Sequence, residues 1–209
     1  IRPFANSEFA DIVALHHAAW HNTYAGVHPK GLLDKTDPQY FSDYWEDIIG
    51  NKHPKGWMTL VAEKDGELLG FINIGPAGDD FGLPRDGLAE LHQIYLSPAA
   101  QGHGLGSLLL ERAVDYLLDA GYASMQIQVD LANQGAQGFY GRFAATKATD
   151  VMVDDWRDGE CYQSPVRVMH APDLNTVQRA LQDYHRQKYL TIPGALQSAY
   201  PSPPRPSLG

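Results

Sequence analysis

One stretch restricts this chain more than any other: Gln101-Gly102-His103-Gly104-Leu105-Gly106-Ser107, with glycine at every second position from 102 to 106. Ahead of it, Leu88–Leu96 is rich in strand formers and is stopped by Ser97-Pro98. Behind it, Leu105, Leu108, Leu109, Ala113, Leu117 and Ala120 recur at helical spacing, and Gly121 stands where a left-handed C-terminal cap belongs. A glycine-rich turn from strand to helix lets backbone N–H groups face a ligand with no side chain in the way. The helix N-terminus adds unsatisfied donors and the positive end of its dipole, which suits a phosphate.

Two nucleotide-binding readings compete for this loop. A Walker loop fails because no Gly-Lys-Ser/Thr follows. A dinucleotide fold is closer, with Gly102-x-Gly104 before a helix and Asp130 ending the next strand, where a ribose ligand would sit. Ser107, however, occupies the third glycine position, and the gap between Leu96 and Gly102 is too long for that motif's tight turn.

The rest of the chain reads as alternating strands and helices. Ile1–Phe4 is a short strand, and Ser7 is placed to cap a helix carrying Phe9, Ile12, Val13, His16 and Trp20 on one face. Gly26–Pro38 reads as a loop, and Tyr40–Ile49 as a helix ending at Gly50. Trp57–Glu63 and Glu67–Ile74 flank Asp65-Gly66, a hairpin signal, and a long loop follows over Gly75–Gly87. Met125, Ile127 and Val129 alternate with Gln126 and Gln128 in a strand, and Asn133 can cap a short helix running to Phe143. Two last strands lie near Lys147–Asp155 and Cys161–His170, around Asp158-Gly159. Beyond Ala171 the character changes, to a polar helical stretch over Asp173–Tyr189 and then a proline-rich end, Tyr200–Gly209. We therefore divide the chain into a domain over 1–171 and a C-terminal helix and tail over 172–209.

Composition sets outer bounds. At 209 residues the chain can bury a genuine core, and a formal net charge of -9 argues against a general nucleic-acid binder. Cys161 is the lone cysteine, so no internal disulfide is expected, and no apolar run reaches the length of a bilayer span. A cytoplasmic protein is the default expectation.

Glu90-Leu91-His92-Gln93-Ile94-Tyr95-Leu96-Ser97-Pro98 followed by Gln101-x-x-Gly104-x-Gly106 resembles the central motif of the GNAT superfamily of acyl-CoA N-acyltransferases. Asn133-x-x-Ala136-x-x-Phe139-Tyr140 is similar to that family's second signature, and the resemblance covers roughly residues 1–171. It implies an α/β fold with a mixed, mostly antiparallel sheet splayed at the cofactor cleft and flanked by helices. Acetyl-CoA is the implied cosubstrate. Backbone groups of Ile94, Tyr95 and Leu96 would take its pantetheine arm, and Gln101, Gly102, His103, Gly104, Leu105, Gly106 and Ser107 its pyrophosphate. Asn133, Phe139 and Tyr140 would line the opposite wall. One departure stands out: Ala144-Ala145 replace the Gly-Phe pair usual after the tyrosine, so the helix is expected to end differently.

Acyl transfer to an amine needs a base, an oxyanion donor and an acid for the departing thiolate. The resemblance makes Tyr140 the acid, against a reading as core, since Ala136, Phe139, Tyr140 and Phe143 share helical spacing. Glu90 and His92 are the candidate bases, sharing strand parity unless a bulge intervenes. His17 and His21 have metal-ligand spacing, but no third ligand stands near them in the sequence, so no metal is expected. His16, Trp20 and Tyr24 form a stripe that is read as core, in a region where the family builds its acceptor wall. The acceptor implied is a small, polyamine-like amine, with a peptide N-terminus or an aminoglycoside as alternatives. A homodimer is compatible with the sequence, and neither nucleic acid nor membrane is an expected partner. A non-catalytic acyl-CoA-binding module with an interaction tail is the reading from another class.

Overall fold

The computed structural model describes residues 1–50, 56–79 and 81–190. Its frame is a seven-stranded sheet in the order β1-β2-β3-β4-β5-β7-β6. The strands are β1 (Arg2–Pro3), β2 (Met58–Lys64), β3 (Glu67–Pro76), β4 (Leu88–Leu96), β5 (Ser124–Asp130), β6 (Thr146–Arg157) and β7 (Glu160–Ala171). Only β4 and β5 run parallel; every other neighbouring pair is antiparallel. This is the mixed, mostly antiparallel sheet expected.

Turn chemistry explains both long hairpins. Asp65 and Gly66 take φ of 54° and 85°, and Asp158 and Gly159 take 49° and 77°. Paired positive φ values give the turn whose twist matches antiparallel strands, and Asp-Gly tolerates them best.

The helices are α1 (Phe9–Tyr24), α2 (Lys30–Lys35), α3 (Pro38–Ile49), α4 (Leu105–Asp119), α5 (Gln134–Arg142) and α6 (Leu174–Leu190). α3 and α5 begin on side-chain caps: Asp37 accepts from Tyr40 N–H at 2.9 Å and Asn133 from Ala136 N–H at 3.0 Å. Ser7 does not cap α1. It lies inside a short 3₁₀ turn, and Glu8 instead accepts from Ala5 N–H at 3.0 Å while pairing with Arg2. α2 interrupts what reads in sequence as a loop. It buries Leu32, the one apolar anchor that a six-residue helix needs here.

Two cores flank the sheet. Ile12, Leu15, Trp45, Val61 and Phe71 fill the side covered by α1 and α3. Ile72, Ile74, Leu91, Leu109, Val114, Leu117 and Ile127 fill the side of α4, and α6 adds Leu174, Val177 and Leu181 to it. The polar stretch after Ala171 is thus polar on one face only: its buried residues recur at helical spacing and seal against α4. The proline-rich end expected over Tyr200–Gly209 lies outside the described residues. Among the described residues no helix is long and apolar enough to cross a membrane.

Candidate active site

The cleft exists because two parallel strands part. β4 pairs with β5 from Leu88↔Ser124 to Leu91↔Ile127 and no further. Beyond that point β4 stays with β3, through Gly70↔Leu96, and β5 stays with β7, through Asp130↔Val166. The right-handed twist of each pair carries them apart. A bulge sits where they part: Ile74 faces Leu91 and Asn73 faces Gln93, so His92 is an extra residue in β4. It resets strand parity. Ala89 and Leu91 pack toward α4 before the bulge, and Ile94 and Leu96 do so after it.

The resulting cleft of about 540 Å³ is lined by His92 to Leu96, Gln128 and Val129, Asn133, Ala136, Phe139, Tyr140 and the loop glycines 102 and 106. Of the residues expected to bind cofactor, Ile94, Tyr95, Leu96, Gln101, Gly102, Gly106, Asn133, Phe139 and Tyr140 are brought together here. The side chains of His103 and Leu105 lie outside this cleft, in a neighbouring depression formed with Leu69 and Leu108. Ser107 is buried, and its hydroxyl donates to the Gly104 carbonyl at 2.7 Å. Gly104, with φ of 88°, precedes α4, and the first bond of that helix runs from Leu108 N–H to the Gly104 carbonyl at 3.2 Å. The amides of Leu105, Gly106 and Ser107 therefore have no intrahelical acceptor.

Glu90 and His92 meet despite the bulge. Their closest approach is 3.6 Å, from Glu90 Oε1 to His92 Nδ1. Glu90 is buried and accepts from Gln126 Nε2 at 2.9 Å, Gln128 Nε2 at 2.9 Å and Gly78 N–H at 3.2 Å. The loop after β3 thus borders the site. The His92 ring stacks on Trp57 with centroids 4.0 Å apart. Gly75 makes room for that tryptophan, since a Cβ there would stand 2.8 Å from Trp57 Cδ1. Of the two candidate bases, His92 lines the cleft, and Glu90 lies behind it.

Tyr140 combines both roles weighed for it. It is buried at 5 % exposure among core residues, and its ring also lines the cleft. Burial pushes its hydroxyl pKa well above the ordinary tyrosine value, so at neutral pH it stays an O–H donor. Tyr24 and Tyr95 stand beside it. Burial raises both, and the Tyr24 hydroxyl interacts with Tyr95 and Asn133. The α1 stripe accordingly divides: Tyr24 lines the cleft, whereas His16 is enclosed by Phe41, Tyr44, Trp45, Phe71 and Tyr95.

The end of α5 corrects an expectation. Ala144 adopts φ of 64°, and Phe143 N–H and Ala145 N–H both reach the Tyr140 carbonyl, at 3.0 and 3.3 Å. The left-handed termination is kept by an alanine, held there by burial of Phe143 and Ala145 on either side. Sequence reasoning missed Gln93, Gln126, Gln128 and Trp57. Gln126 lies opposite Glu90 in the parallel ladder and shares its face with Gln128, and the bulge adds Gln93 to that face. His21 Nε2 approaches the Thr36 carbonyl at 2.7 Å, and among the described residues no group of three metal-ligating side chains forms.

The sheet splays beside a glycine loop, with a capped helix on the far wall, which is the arrangement that the acyltransferase resemblance implied. The sequence model of the acetyltransferase (GNAT) family matches residues 13–145, and the chain belongs to that family. It is therefore an N-acetyltransferase by family. It is 29% identical over 130 residues to an uncharacterised N-acetyltransferase, YuaI, of Bacillus subtilis, covering 62% of this chain and 70% of that one. It is 34% identical over 89 residues to a mycothiol acetyltransferase of Renibacterium salmoninarum, covering 41% of this chain and 24% of the other. The fold matches the PaiA N-acetyltransferase of Thermoplasma acidophilum, solved with coenzyme A, at a TM-score of 0.60 and 18% identity over 82% of this chain and 96% of that one.

Proposed function

We propose that this acetyltransferase moves an acetyl group from acetyl-CoA to the primary amine of a small molecule, by direct attack within the cleft. The observation that carries this reading is the loss of β4–β5 pairing beyond Leu91. It leaves the backbone edge of Ile94–Leu96 open opposite Tyr140. An extended amide chain can pair with such an edge as an added strand would. The glycine loop fits a diphosphate: Gly102 has open space where a side chain would stand, and the α4 amides have no intrahelical acceptor.

In this reading His92 takes a proton from the acceptor's ammonium, directly or through a water, so that the neutral amine attacks the thioester carbonyl, and Glu90 orients the imidazole from behind. Glu90 is in turn held by Gln126, Gln128 and the Gly78 amide, so the pair is pre-set rather than assembled at the moment of reaction. Tyr140 donates a hydrogen bond to the developing thiolate. Because burial makes its hydroxyl a reluctant acid, it stabilises charge and relays the proton that nitrogen releases, and is not itself left ionised. The net change is one N–C bond formed, one C–S bond broken, one proton moved from nitrogen to sulfur, and the ammonium proton taken by His92 released to solvent.

The small-molecule reading is supported by the relative named a mycothiol acetyltransferase, and Tyr24 and His92 both line the cleft where an acceptor would enter. A relative in Bacillus subtilis is named a putative ribosomal-protein alanine N-acetyltransferase, so a peptide N-terminus belongs in the same test. The measurement is thiol release from acetyl-CoA against polyamines, amino sugars, amino acids and an alanine-initiated peptide. Turnover of a small amine is expected. Turnover of the peptide alone would replace the proposal with the protein-directed reading.

A further inference from the structure

The cleft is polar but carries almost no formal charge. Among the described residues that line it, none is an aspartate, glutamate, lysine or arginine. Its polar side chains are amides, hydroxyls and one imidazole, with Asn22, Thr23 and Tyr24 coming from α1, His92 and Gln93 from β4, and Gln128 from β5. The carboxylates around it are engaged. Glu90 accepts from Gln126, Gln128 and the Gly78 amide. Asp130, at the end of β5, accepts from Ala132 N–H at 2.7 Å and lies 3.4 Å from His28 Nε2. A second ammonium or a carboxylate on an acceptor would shed water against this lining without meeting an opposite charge. Hydroxyl groups would exchange water for hydrogen bonds at little cost.

One of these side chains is held in a single sense. Gln93 Oε1 accepts from the Tyr44 hydroxyl at 2.9 Å and from Asn73 Nδ2 at 3.0 Å. Asn73 is fully buried, and its Oδ1 takes the Thr59 hydroxyl at 2.7 Å, which leaves its nitrogen for Gln93. Burial raises the Tyr44 hydroxyl far above the ordinary tyrosine value, so it remains a donor. Both lone pairs of the Gln93 oxygen are thus filled. Its Nε2 is left with two N–H donors, and among the described residues no acceptor meets them. The β4 bulge puts this side chain on the side of Glu90, one residue from the candidate base.

We propose that Gln93 selects the acceptor, its Nε2 donating to a hydroxyl oxygen of a monoamine that bears no second charge, an amino alcohol or amino sugar. The proposal rests on the small-amine reading above. It ranks such acceptors ahead of polyamines and amino acids, and it makes the network of Thr59, Asn73 and Tyr44 the device that aims the Gln93 amide.

The test is kcat/KM with acetyl-CoA over a matched series of primary amines: aminopropanol, propylamine, diaminopropane and β-alanine, with glucosamine added. Aminopropanol should exceed propylamine, diaminopropane and β-alanine by about tenfold, the factor that one hydrogen bond of ordinary strength supplies. Glucosamine beside aminopropanol tells whether a sugar ring or an open chain carries the hydroxyl. Gln93→Glu keeps an oxygen for Tyr44 and Asn73 and puts a carboxylate oxygen where the donor was, so the melting temperature should hold. The ratio of aminopropanol to diaminopropane should then fall by about tenfold or more, because the second ammonium gains a charged partner. Taking a ratio cancels any effect of the new charge on His92. A wild type that uses propylamine or diaminopropane as well as aminopropanol overturns the proposal, however the variant folds. So does an unchanged ratio in folded Gln93→Glu, and in both cases the small-amine reading stands. Turnover of the alanine-initiated peptide alone removes that reading and this proposal together.

Discussion

Tyr140 sits where packing and chemistry overlap, and a single atom separates the two. Tyr140→Phe leaves the ring among Phe139, Phe143 and the β5 side chains and removes only the hydroxyl. If that hydroxyl stabilises the leaving thiolate, turnover falls by one to several powers of ten while acetyl-CoA affinity barely changes. Steady-state kinetics beside a binding isotherm reads both, and wild-type turnover would falsify its role. Four residues along, Ala144 holds φ of 64° without a glycine's freedom. Left-handed backbone costs an L-residue roughly 1–2 kcal/mol, of which the greater unfolded-state entropy of glycine returns part. Ala144→Gly should therefore stabilise the protein by about 1 kcal/mol in chemical denaturation. A loss of stability would show that the alanine methyl has a packing role that outweighs the strain.

At the level of elements, the bulge in β4 shapes the site and the docking of α6 completes the core behind it. The bulge puts Gln93 and Tyr95 on the side of Glu90, Gln126 and Gln128 while turning Ile94 and Leu96 to the α4 side. α6 depends on Leu174, Val177 and Leu181, all essentially inaccessible. Removing a buried leucine side chain costs the transfer term plus an unfilled cavity, so Leu181→Ala should destabilise the chain by about 3 kcal/mol. Urea unfolding should show this as a lower midpoint with an unchanged slope. A cost under about 1 kcal/mol would mean that α6 rests on the surface and is not part of the core.

For the whole molecule, one buried histidine sets an acid limit. His16 is pushed down from its ordinary value of 6.5 to about 3 by burial among aromatic rings. The unfolded chain binds a proton at this side chain below pH 6.5, whereas the folded chain refuses it until about pH 3. The stability that this neutral histidine confers is complete above the unfolded value and is lost as pH falls through that window, by roughly 1.4 kcal/mol per unit. Between pH 7 and pH 5 the wild type should thus lose about 2 kcal/mol more than His16→Leu. Denaturant midpoints of the two proteins at both pH values decide it, and parallel slopes would remove His16 from the acid response.

Local patterns determined much of this protein without help. Positive-φ turns at Asp65-Gly66 and Asp158-Gly159, the cap at Asn133, and the glycine run before α4 are settled within a few residues, so they are legible in order along the chain. The two motifs around residues 90–107 and 133–140 also carried the family, because their backbone and side-chain requirements are local. What only the tertiary structure decided depends on parts far apart in sequence. The bulge at His92 follows from how β3 and β4 fit between two cores, and no side-chain pattern in β4 announces it. α2 forms because Leu32 finds a buried place, and Ala144 accepts left-handed backbone because its neighbours are buried. Lys188 meets Gly104 across 84 positions of chain, a contact set by the packing of α6 on α4. Spacing along a chain fixes which residues share a face, and only packing against the rest of the molecule fixes what that face meets.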